Sequence, residues 1–330
     1  MKFGPVPVAE AEGAILAHSI RAGSRKLRKG LTLSAQDLAD LRDAAVSEVI
    51  VARLEPDDLH ENTAAAELAA ALVPDPAGVN LRLTEPFTGR VNLLARGPGV
   101  VVLDVAGLEQ FNQVHPMITV ATVPQHQQLA KDGMVATIKV ISYAVPEGAV
   151  AEAAGAGSNA VQLAAPVYRT VGLVISEIPG GPSNDKGVAA IRGRVKTLGM
   201  DLAEIATVPH RTDDLAEAIK EIDSDMILIL TGSATSDPDD VAPAAVRAAG
   251  GVVERFGMPV DPGNLLFLGN LGDRPVIGLP GCARSPALNG ADWILSRIAC
   301  GIPTTGSDIA AMGVGGLLKE IPTRPQPRSG

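Results

Sequence analysis

Aromatic side chains and cysteines are scarce in this 330-residue sequence. Phe, Trp and Tyr together make up 2% of it, so any core must be built from Ala, Val, Leu and Ile rather than from rings. The two cysteines, Cys282 and Cys300, are too few for a disulfide framework. A reducing, cytoplasmic location is therefore expected.

Long apolar runs are also lacking. No uninterrupted apolar stretch reaches the roughly 18–20 residues of a membrane-spanning helix, and the mean hydropathy of +0.21 comes from dispersed Ala and Val. The stretch 1–19 carries two prolines and two glutamates where a secretory signal has its apolar segment. The sequence therefore predicts neither a secretory signal nor a membrane partner.

Clustered positive charge is limited. The formal net charge is −9, whereas binding to nucleic acid depends on grouped Lys and Arg. One short basic segment, RAGSRKLRK at 21–29, is interpreted as a solvated loop or hairpin, so no nucleic-acid partner is expected. The five histidines lack metal-ligand spacing, and no Ser/His/Asp order indicates a hydrolase.

The length suits about two domains, and a hydrophobic fraction of 46% is ample for their cores. One stretch rich in Gly, Ala and Ser has the composition of a linker. The predicted divisions are an N-terminal α+β region at 1–147 (with sub-units 1–75 and 80–147), a linker at 148–166, an α/β domain at 167–322 and a disordered tail at 323–330.

The N-terminal region mixes short helices and strands. The segment SAQDLADLRDAA predicts an amphipathic helix over 34–45 that begins at Ser34, with Asp37 at the capping-box position. An Ala-rich helix is predicted over 62–72. Apolar runs predict β-structure at 48–52, 117–123 and 134–144.

From Val167 onward the pattern alternates between apolar strands and amphipathic helices. Strands are predicted at 170–176, 201–207, 226–230, 252–256, 265–267 and 275–279. Helices are predicted at 186–198, 212–222, 241–249 and 285–299. A strand that is apolar along its whole length is typical of a sheet covered on both faces. A three-layer α/β/α domain with a mostly parallel sheet is therefore expected. Ligands of such sheets bind beyond the carboxyl ends of the strands.

Two predicted strands end in small, polar loops. After 226–230 come Thr231 and then the candidate anion-binding residues Gly232, Ser233, Ala234, Thr235 and Ser236. Gly232 allows close approach of the backbone to a ligand, and the loop's N–H groups can hold an anion. Asp237, Asp239 and Asp240 follow. A helix cap with solvated carboxylates explains this loop equally well.

After strand 275–279 the chain turns through Pro280, Gly281, Cys282, Arg284 and Ser285. Arg284 could pair with a phosphate through two hydrogen bonds. A nearby helix N-terminus would favour a Cys282 thiolate, although a small packing residue is the favoured interpretation. A third loop, 176–187, holds Glu177, Asp185 and Lys186, and taken singly it is a solvated connection. Three strand-end loops at one edge nevertheless favour a ligand site.

Several segments resemble the molybdopterin-binding domain shared by the MoeA and MogA families. The run 260–281 resembles the end of that domain, with its PV-x-GLPG segment, and 231–240 resembles its TGG-x-S-x-G-x-x-D loop. The N-terminal half resembles stand-alone molybdopterin-binding proteins at 7–20, 27–41, 60–69 and 134–145. The resemblance implies an α/β domain of the molybdopterin-binding type, preceded by a smaller α+β region.

The ligand implied by the resemblance is molybdopterin or its nucleotide form. Its phosphate would lie against the 231–236 loop, with Pro280, Gly281, Arg284 and Ser285 on the other side. Asp240 and Asp185 would hold Mg²⁺ and act catalytically in nucleotidyl transfer or metal insertion. The family's loop differs here, since Ser233 and Asp237 replace glycines, and Asp261 and Asn264 replace two lysines.

Three functions stay open at this stage. The first is a transferase of molybdenum-cofactor assembly, either a molybdopterin nucleotidyltransferase or a molybdotransferase. The second is a non-catalytic carrier that delivers molybdopterin to a molybdenum hydroxylase. The altered loop and the missing lysines favour the carrier, whereas the retained Asp185 and Asp240 favour the transferase. The third is a phosphosugar or nucleotide binder. The expected partners are a nucleotidyltransferase domain or a molybdenum enzyme, and a homo-oligomer is expected.

Overall fold

The computed structural model describes residues 1–181 and 183–318. The chain folds into two compact units. The first comprises residues 1–97 and 101–163, and the second comprises residues 98–100 and the residues from 164 onward. The tail predicted to be disordered, 323–330, lies outside the described residues, as do the last four residues predicted for the α/β domain.

The first unit contains both helices and short, mainly antiparallel strands. Its strands are β1 (Lys2–Pro7), β2 (Ile15–Leu16), β3 (Ile20–Ala22), β4 (Arg25–Leu27), β5 (Glu48–Arg53), β6 (Asp58–His60), β7 (Leu81–Leu83), β8 (Arg90–Ala95), β9 (Gly99–Leu103), β10 (Ile118–Thr122), β11 (Gln128–Leu129), β12 (Met134–Val140), β13 (Ala144–Pro146) and β14 (Val161–Ala164). The first two residues of β9 and the last residue of β14 fall in the second unit. Its helices are α1 (Ala35–Asp43), α2 (Glu61–Leu72), α3 (Val105–Val114) and α4 (Glu147–Ala156).

Two apolar clusters form the cores of this unit. One lies where α1 packs near β1, β2 and β5. The other gathers α2, α3 and α4 against β8 and β12. The capping box predicted at the start of α1 is confirmed, because the Asp37 N–H donates to Ser34 Oγ and the Ser34 N–H donates to the Asp37 carboxylate.

Residues 148–166 differ from the predicted linker. Most of them form α4 and β14, and Val150, Ala153, Val161 and Leu163 are buried in the core of the first unit. Small apolar side chains let α4 pack closely on its neighbours, and a Gly/Ala-rich composition is common to such helices and to linkers. The segment is therefore part of the folded unit.

The second unit is built on one six-stranded sheet. Its strands are β15 (Thr170–Glu177), β16 (Asp201–Pro209), β17 (Met226–Leu230), β18 (Val252–Phe256), β19 (Phe267–Leu271) and β20 (Arg274–Leu279). Its helices are α5 (Asn184–Thr197), α6 (Thr212–Glu221), α7 (Val241–Ala248), α8 (Gly290–Ala299) and α9 (Gly306–Ala311). The sheet order is β16–β15–β17–β20–β19–β18. The pairs β16/β15, β15/β17 and β17/β20 are parallel, and β19 pairs antiparallel with both β20 and β18.

Helices cover both faces of this sheet. Along β17, Met226, Leu228 and Leu230 pack with α5, α8 and α9. The alternate residues Ile227 and Ile229 pack with α6 and α7. Side chains that alternate between two buried faces are the signature of a sheet in a three-layer domain, so the predicted α/β/α fold is confirmed. Among the described helices, none is long and apolar enough to cross a membrane.

The segment before α8 differs from the predicted helix over 285–299. Residues Gly281–Arg284 form a short 3-10 turn, and α8 begins only at Gly290. A capping box between Asn289, the N-cap residue, and Asp292 fixes this start of the helix. Residues 285–289 therefore remain an irregular loop at the carboxyl edge of the sheet.

Candidate functional site

The carboxyl ends of three neighbouring strands meet at one edge of the sheet. Ile175 of β15 pairs with Leu230 of β17, and Leu230 pairs with Leu279 of β20. The chain leaves each strand within two residues of these pairs, so the three predicted loops do start side by side. Binding sites in mostly parallel sheets form at such edges.

A chain of hydrogen bonds joins these loops. The Asn184 Nδ2 group donates to Glu177 Oε1, and Asn184 Oδ1 accepts from Arg284 Nη1 at 3.0 Å. The other end of the guanidinium, Nη2, donates to the Thr231 carbonyl oxygen at 3.0 Å. Arg284 and Asn184 thus link the loops after β15, β17 and β20.

Two clefts lie beside this chain of bonds, and both include Ser183 in their walls. The first, of about 370 Å³, has Glu177, Asp185 and Gly232 in its wall and is called the acidic cleft. The second, of about 840 Å³, has Lys186 and Arg284 in its wall and is called the basic cleft. Both volumes fall in the range of small-molecule sites.

Gly232 occupies a position that needs glycine. A Cβ atom there would lie 2.8 Å from the Ser176 carbonyl oxygen and 3.0 Å from the Ile178 nitrogen. Its N–H donates weakly to Ser176 Oγ at 3.4 Å, and that hydroxyl lies 2.8 Å from His210 Nδ1. Gly232 therefore lies close to the backbone of Ser176 and Ile178, and the predicted approach of its own backbone to a ligand stays a prediction.

Apart from Gly232, the described residues of the 231–236 loop line neither cleft, and two of its hydroxyl groups bond within the loop. Thr231 Oγ1 donates to the Ser233 carbonyl at 2.6 Å and lies 3.4 Å from Thr235 Oγ1, and Thr235 is buried. Ser233, Ala234 and Ser236 are exposed. The predicted role of this loop in holding a phosphate stays a prediction.

Asp240 and Asp185 occupy different settings. Asp240 is the N-cap of α7, and its carboxylate accepts the N–H groups of Val241 at 2.7 Å and Ser236 at 3.1 Å. Asp185 is exposed in the first turn of α5 and lines the acidic cleft. Within residues 1–181 and 183–318, no cluster of three or more His, Cys, Asp or Glu side chains is suited to a metal ion. The role of Asp240 and Asp185 as a Mg²⁺ pair stays a prediction.

The turn after β20 is held by a buried arginine of α5. Arg194 donates to Asp292 Oδ1 at 2.6 Å and to three carbonyl oxygens, those of Ala283 (2.9 Å), Ser285 (2.8 Å) and Ala287 (3.0 Å). A guanidinium with several fixed donors suits such a multiple contact. Arg194 thereby fixes the segment that presents Arg284 to the basic cleft.

Of the remaining predicted residues of this turn, some line the basic cleft and one does not. Gly281 and Ser285 are exposed and line the basic cleft, whereas Pro280 precedes the 3-10 turn and lines neither cleft. Cys282 also lines the basic cleft, and burial raises the pKa of its thiol. Desolvation thus favours the neutral thiol of Cys282 over a thiolate.

Four contributors escaped the sequence reasoning: Ser176, Asn184, Arg194 and His210. Arg194 had a signal, because it falls on the apolar stripe of α5, whose buried positions include Ala190, Ile191 and Val195. A charged residue on such a stripe indicates a buried polar contact. The other three had none, because their partners depend on how the strand ends meet.

A mostly parallel sheet with clefts at its strand-end loops is the arrangement in which α/β domains usually bind small molecules. Residues 173–298 match the family described as "Probable molybdopterin binding domain". This part of the second unit is therefore similar to a molybdopterin-binding domain, which confirms the resemblance inferred from its sequence. Residues 5–53 match a second family, a domain of unknown function. No protein of curated function matches the chain.

Two solved structures are similar to the chain at low identity. The molybdopterin biosynthesis MoeA protein from Pyrococcus horikosii is 13% identical, with a TM-score of 0.31, and the match covers 91% of this chain and 76% of that one. A molybdenum cofactor biosynthesis protein from Pyrococcus furiosus is 14% identical, with a TM-score of 0.22 and coverages of 86% and 59%. At these scores the likenesses carry no argument about activity.

Proposed function

We propose that this protein binds molybdopterin at the carboxyl edge of its α/β sheet and serves molybdenum-cofactor biosynthesis. One observation carries the proposal. Every residue that lines the acidic and basic clefts lies within 173–298, the segment that matches the molybdopterin-binding family. The family match and the ligand-sized clefts, which rest on sequence and geometry respectively, thus point to the same loops.

The clefts have chemistry suited to such a ligand. Molybdopterin combines a flat pterin rich in hydrogen-bonding groups with a phosphate. The clefts offer carboxylate, hydroxyl, amide and guanidinium groups from the end of β15, the first turn of α5 and the turn after β20. Small-molecule sites typically fix orientation with a few such polar groups.

A carrier role is favoured over catalysis by the setting of the two aspartates. Nucleotidyl transfer and metal insertion would both need a cation to offset the charge of the reacting groups. Both carboxylate oxygens of Asp240 accept backbone N–H groups, and Asp240 lines neither cleft that Asp185 or Arg284 lines. We therefore propose that the protein stores or delivers molybdopterin, with a molybdenum enzyme or a nucleotidyltransferase as the recipient.

Anaerobic calorimetric titration of the full chain with molybdopterin tests the binding proposal. We expect saturable binding with a one-to-one stoichiometry. A simple pterin without the dithiolene and phosphate should bind more weakly. Absence of heat and of thermal protection by molybdopterin would overturn the proposal, and protection by nucleotides alone would indicate the nucleotide or phosphosugar binder instead.

The carrier role needs a separate experiment. The protein is incubated with molybdopterin and Mg-ATP or Mg-CTP, and the pterin is then analysed by mass spectrometry. A carrier returns unmodified molybdopterin. A nucleotidylated product would show a transferase and restore the catalytic assignment of Asp240 and Asp185.

We also propose that the protein self-associates and lies in the cytoplasm. Sedimentation velocity at several protein concentrations measures the first, with a dimer or larger species expected. Fractionation of cells that express the tagged protein measures the second. A monomer at all concentrations would remove the oligomer from the proposal without affecting the ligand site.

A further inference from the structure

Arg284 is a half-buried cation that makes no ion pair among the described residues. Both of its hydrogen-bond acceptors, Asn184 Oδ1 and the Thr231 carbonyl oxygen, are uncharged. Burial lowers the pKa of its guanidinium. A charge withdrawn from water is costly unless an opposite charge compensates it.

The opposite charge nearest to Arg284 in the hydrogen-bond chain is held away from it by an amide. Asn184 donates to the Glu177 carboxylate at one end and accepts from Arg284 at the other. This arrangement also fixes the orientation of the Asn184 side chain, because only its nitrogen can donate to a carboxylate. The Glu177 carboxylate therefore lies on the side of the acidic cleft, and the Arg284 guanidinium lies on the side of the basic cleft.

The two clefts consequently offer opposite electrostatic environments. The described wall of the acidic cleft contains Glu177 and Asp185 and no Lys or Arg. The described wall of the basic cleft contains Lys186 and Arg284 and no Asp or Glu. An oxyanion is repelled from the first and attracted to the second, and an arginine can present two parallel N–H groups to it.

We propose that the basic cleft is an oxyanion site, in which Arg284 and Lys186 bind the phosphate of the ligand. The assignment moves the phosphate from the 231–236 loop to the space between α5 and the Gly281–Arg284 turn. Its identity as the phosphate of molybdopterin rests on the proposed function, whereas the attraction of the cleft for phosphate does not.

Inorganic phosphate is the first probe, titrated into the full chain by calorimetry at low ionic strength. Arg284→Gln removes the half-buried charge and should weaken phosphate binding at least about tenfold, equivalent to about 1.4 kcal/mol. Lys186→Gln changes an exposed side chain, so the variant should fold as the wild type does. It should weaken phosphate binding by a smaller factor than Arg284→Gln. Lys220→Gln, an exposed substitution on α6 with the same charge change, should bind phosphate as the wild type does.

Asn184→Asp is the sharpest variant because it is nearly isosteric. It places a carboxylate on the guanidinium of Arg284 and so supplies the missing counter-charge, and it also replaces the hydrogen bond to Glu177 by repulsion between two carboxylates. Phosphate affinity should fall at least about tenfold while the far-ultraviolet circular dichroism stays unchanged. Wild-type phosphate affinity in Arg284→Gln and Lys186→Gln, with both variants folded, would overturn the oxyanion site.

Molybdopterin and a neutral pterin form the second pair of probes. The variants should weaken molybdopterin binding and leave that of the neutral pterin unchanged. Molybdopterin binding that is equal in wild type, Arg284→Gln and Lys186→Gln would refute the subsite and leave the proposed function intact. Phosphate binding that depends on Arg284, together with no molybdopterin binding, would support the subsite and refute the proposed function.

Discussion

Replacement of Arg194 by methionine should destabilise the α/β unit strongly. Methionine keeps an unbranched apolar stem but removes every donor of the guanidinium. The substitution leaves the partly buried carboxylate of Asp292 without its cation and three carbonyl oxygens without that donor. Both side chains of the ion pair are more than four-fifths buried. Breaking such a pair from one side costs about 3–5 kcal/mol.

The lower end of that range predicts a fall in Tm of about 6–12 °C, because a domain of this size loses about 2–4 °C per kcal/mol. The single tryptophan, Trp293, lies on α8, so its fluorescence follows the unfolding of this unit. Arg192→Met is the matched control, since Arg192 is exposed on the same helix. It should unfold near the wild-type temperature. Equal midpoints for Arg194→Met and Arg192→Met would refute the account of how the turn after β20 is held.

Two further predictions concern the carboxyl edge of the sheet, and a third concerns the opposite end, where Asp225 precedes β17. Gly232→Ala should lower the free energy of unfolding in urea by about 1–3 kcal/mol, because the new Cβ meets the Ser176 carbonyl oxygen. The control Gly193→Ala lies at an open helical position and should raise that free energy by up to about 1 kcal/mol. Equal effects of the two substitutions would contradict the close approach at Gly232. Asp240→Ala should cost about 1 kcal/mol through the lost helix cap, and a cost that appears only with Mg²⁺ in thermal unfolding would point to a metal ligand instead. Two backbone N–H groups lower the native pKa of Asp225, so its contribution to stability exists above the ordinary pKa of about 3.9 and is lost as pH falls through the lowered value. Asp225→Asn should therefore be less stable at pH 7, with a gap that closes in strong acid; a gap independent of pH would contradict this reasoning.

The α/β fold followed from local patterns. The apolar run of β17 and the amphipathic segments beside it indicated a sheet buried on both faces, because burial leaves a periodic trace in the sequence. The capping box of α1 was equally local. The error at 148–166 has a physical cause, since alanines of a packed helix and alanines of a linker differ only in what surrounds them.

The candidate site was less accessible to sequence reasoning. Gly232 stood out in the sequence as a glycine after a buried strand, but its close neighbour was predicted to be a ligand and is the backbone of Ser176 and Ile178. The contacts that define the clefts, from Arg194 to Asp292 and from Asn184 to Arg284, join residues 98 and 100 positions apart. Such pairs arise only when the parallel strands align. The internal bonding of the 231–236 loop likewise depends on side-chain directions that composition does not encode.

Hydrogen exchange of the full chain, with and without saturating molybdopterin, measures the ligand site most directly. The account predicts slower exchange in peptides that cover Ser176–Gly181 and Gly281–Pro286, with little change in the first unit. Lys220→Gln should give the same protection, and Arg284→Gln should reduce it. Protection confined to residues 1–163, or none at all at ligand concentrations that saturate in calorimetry, would contradict a molybdopterin site at the carboxyl edge of the sheet.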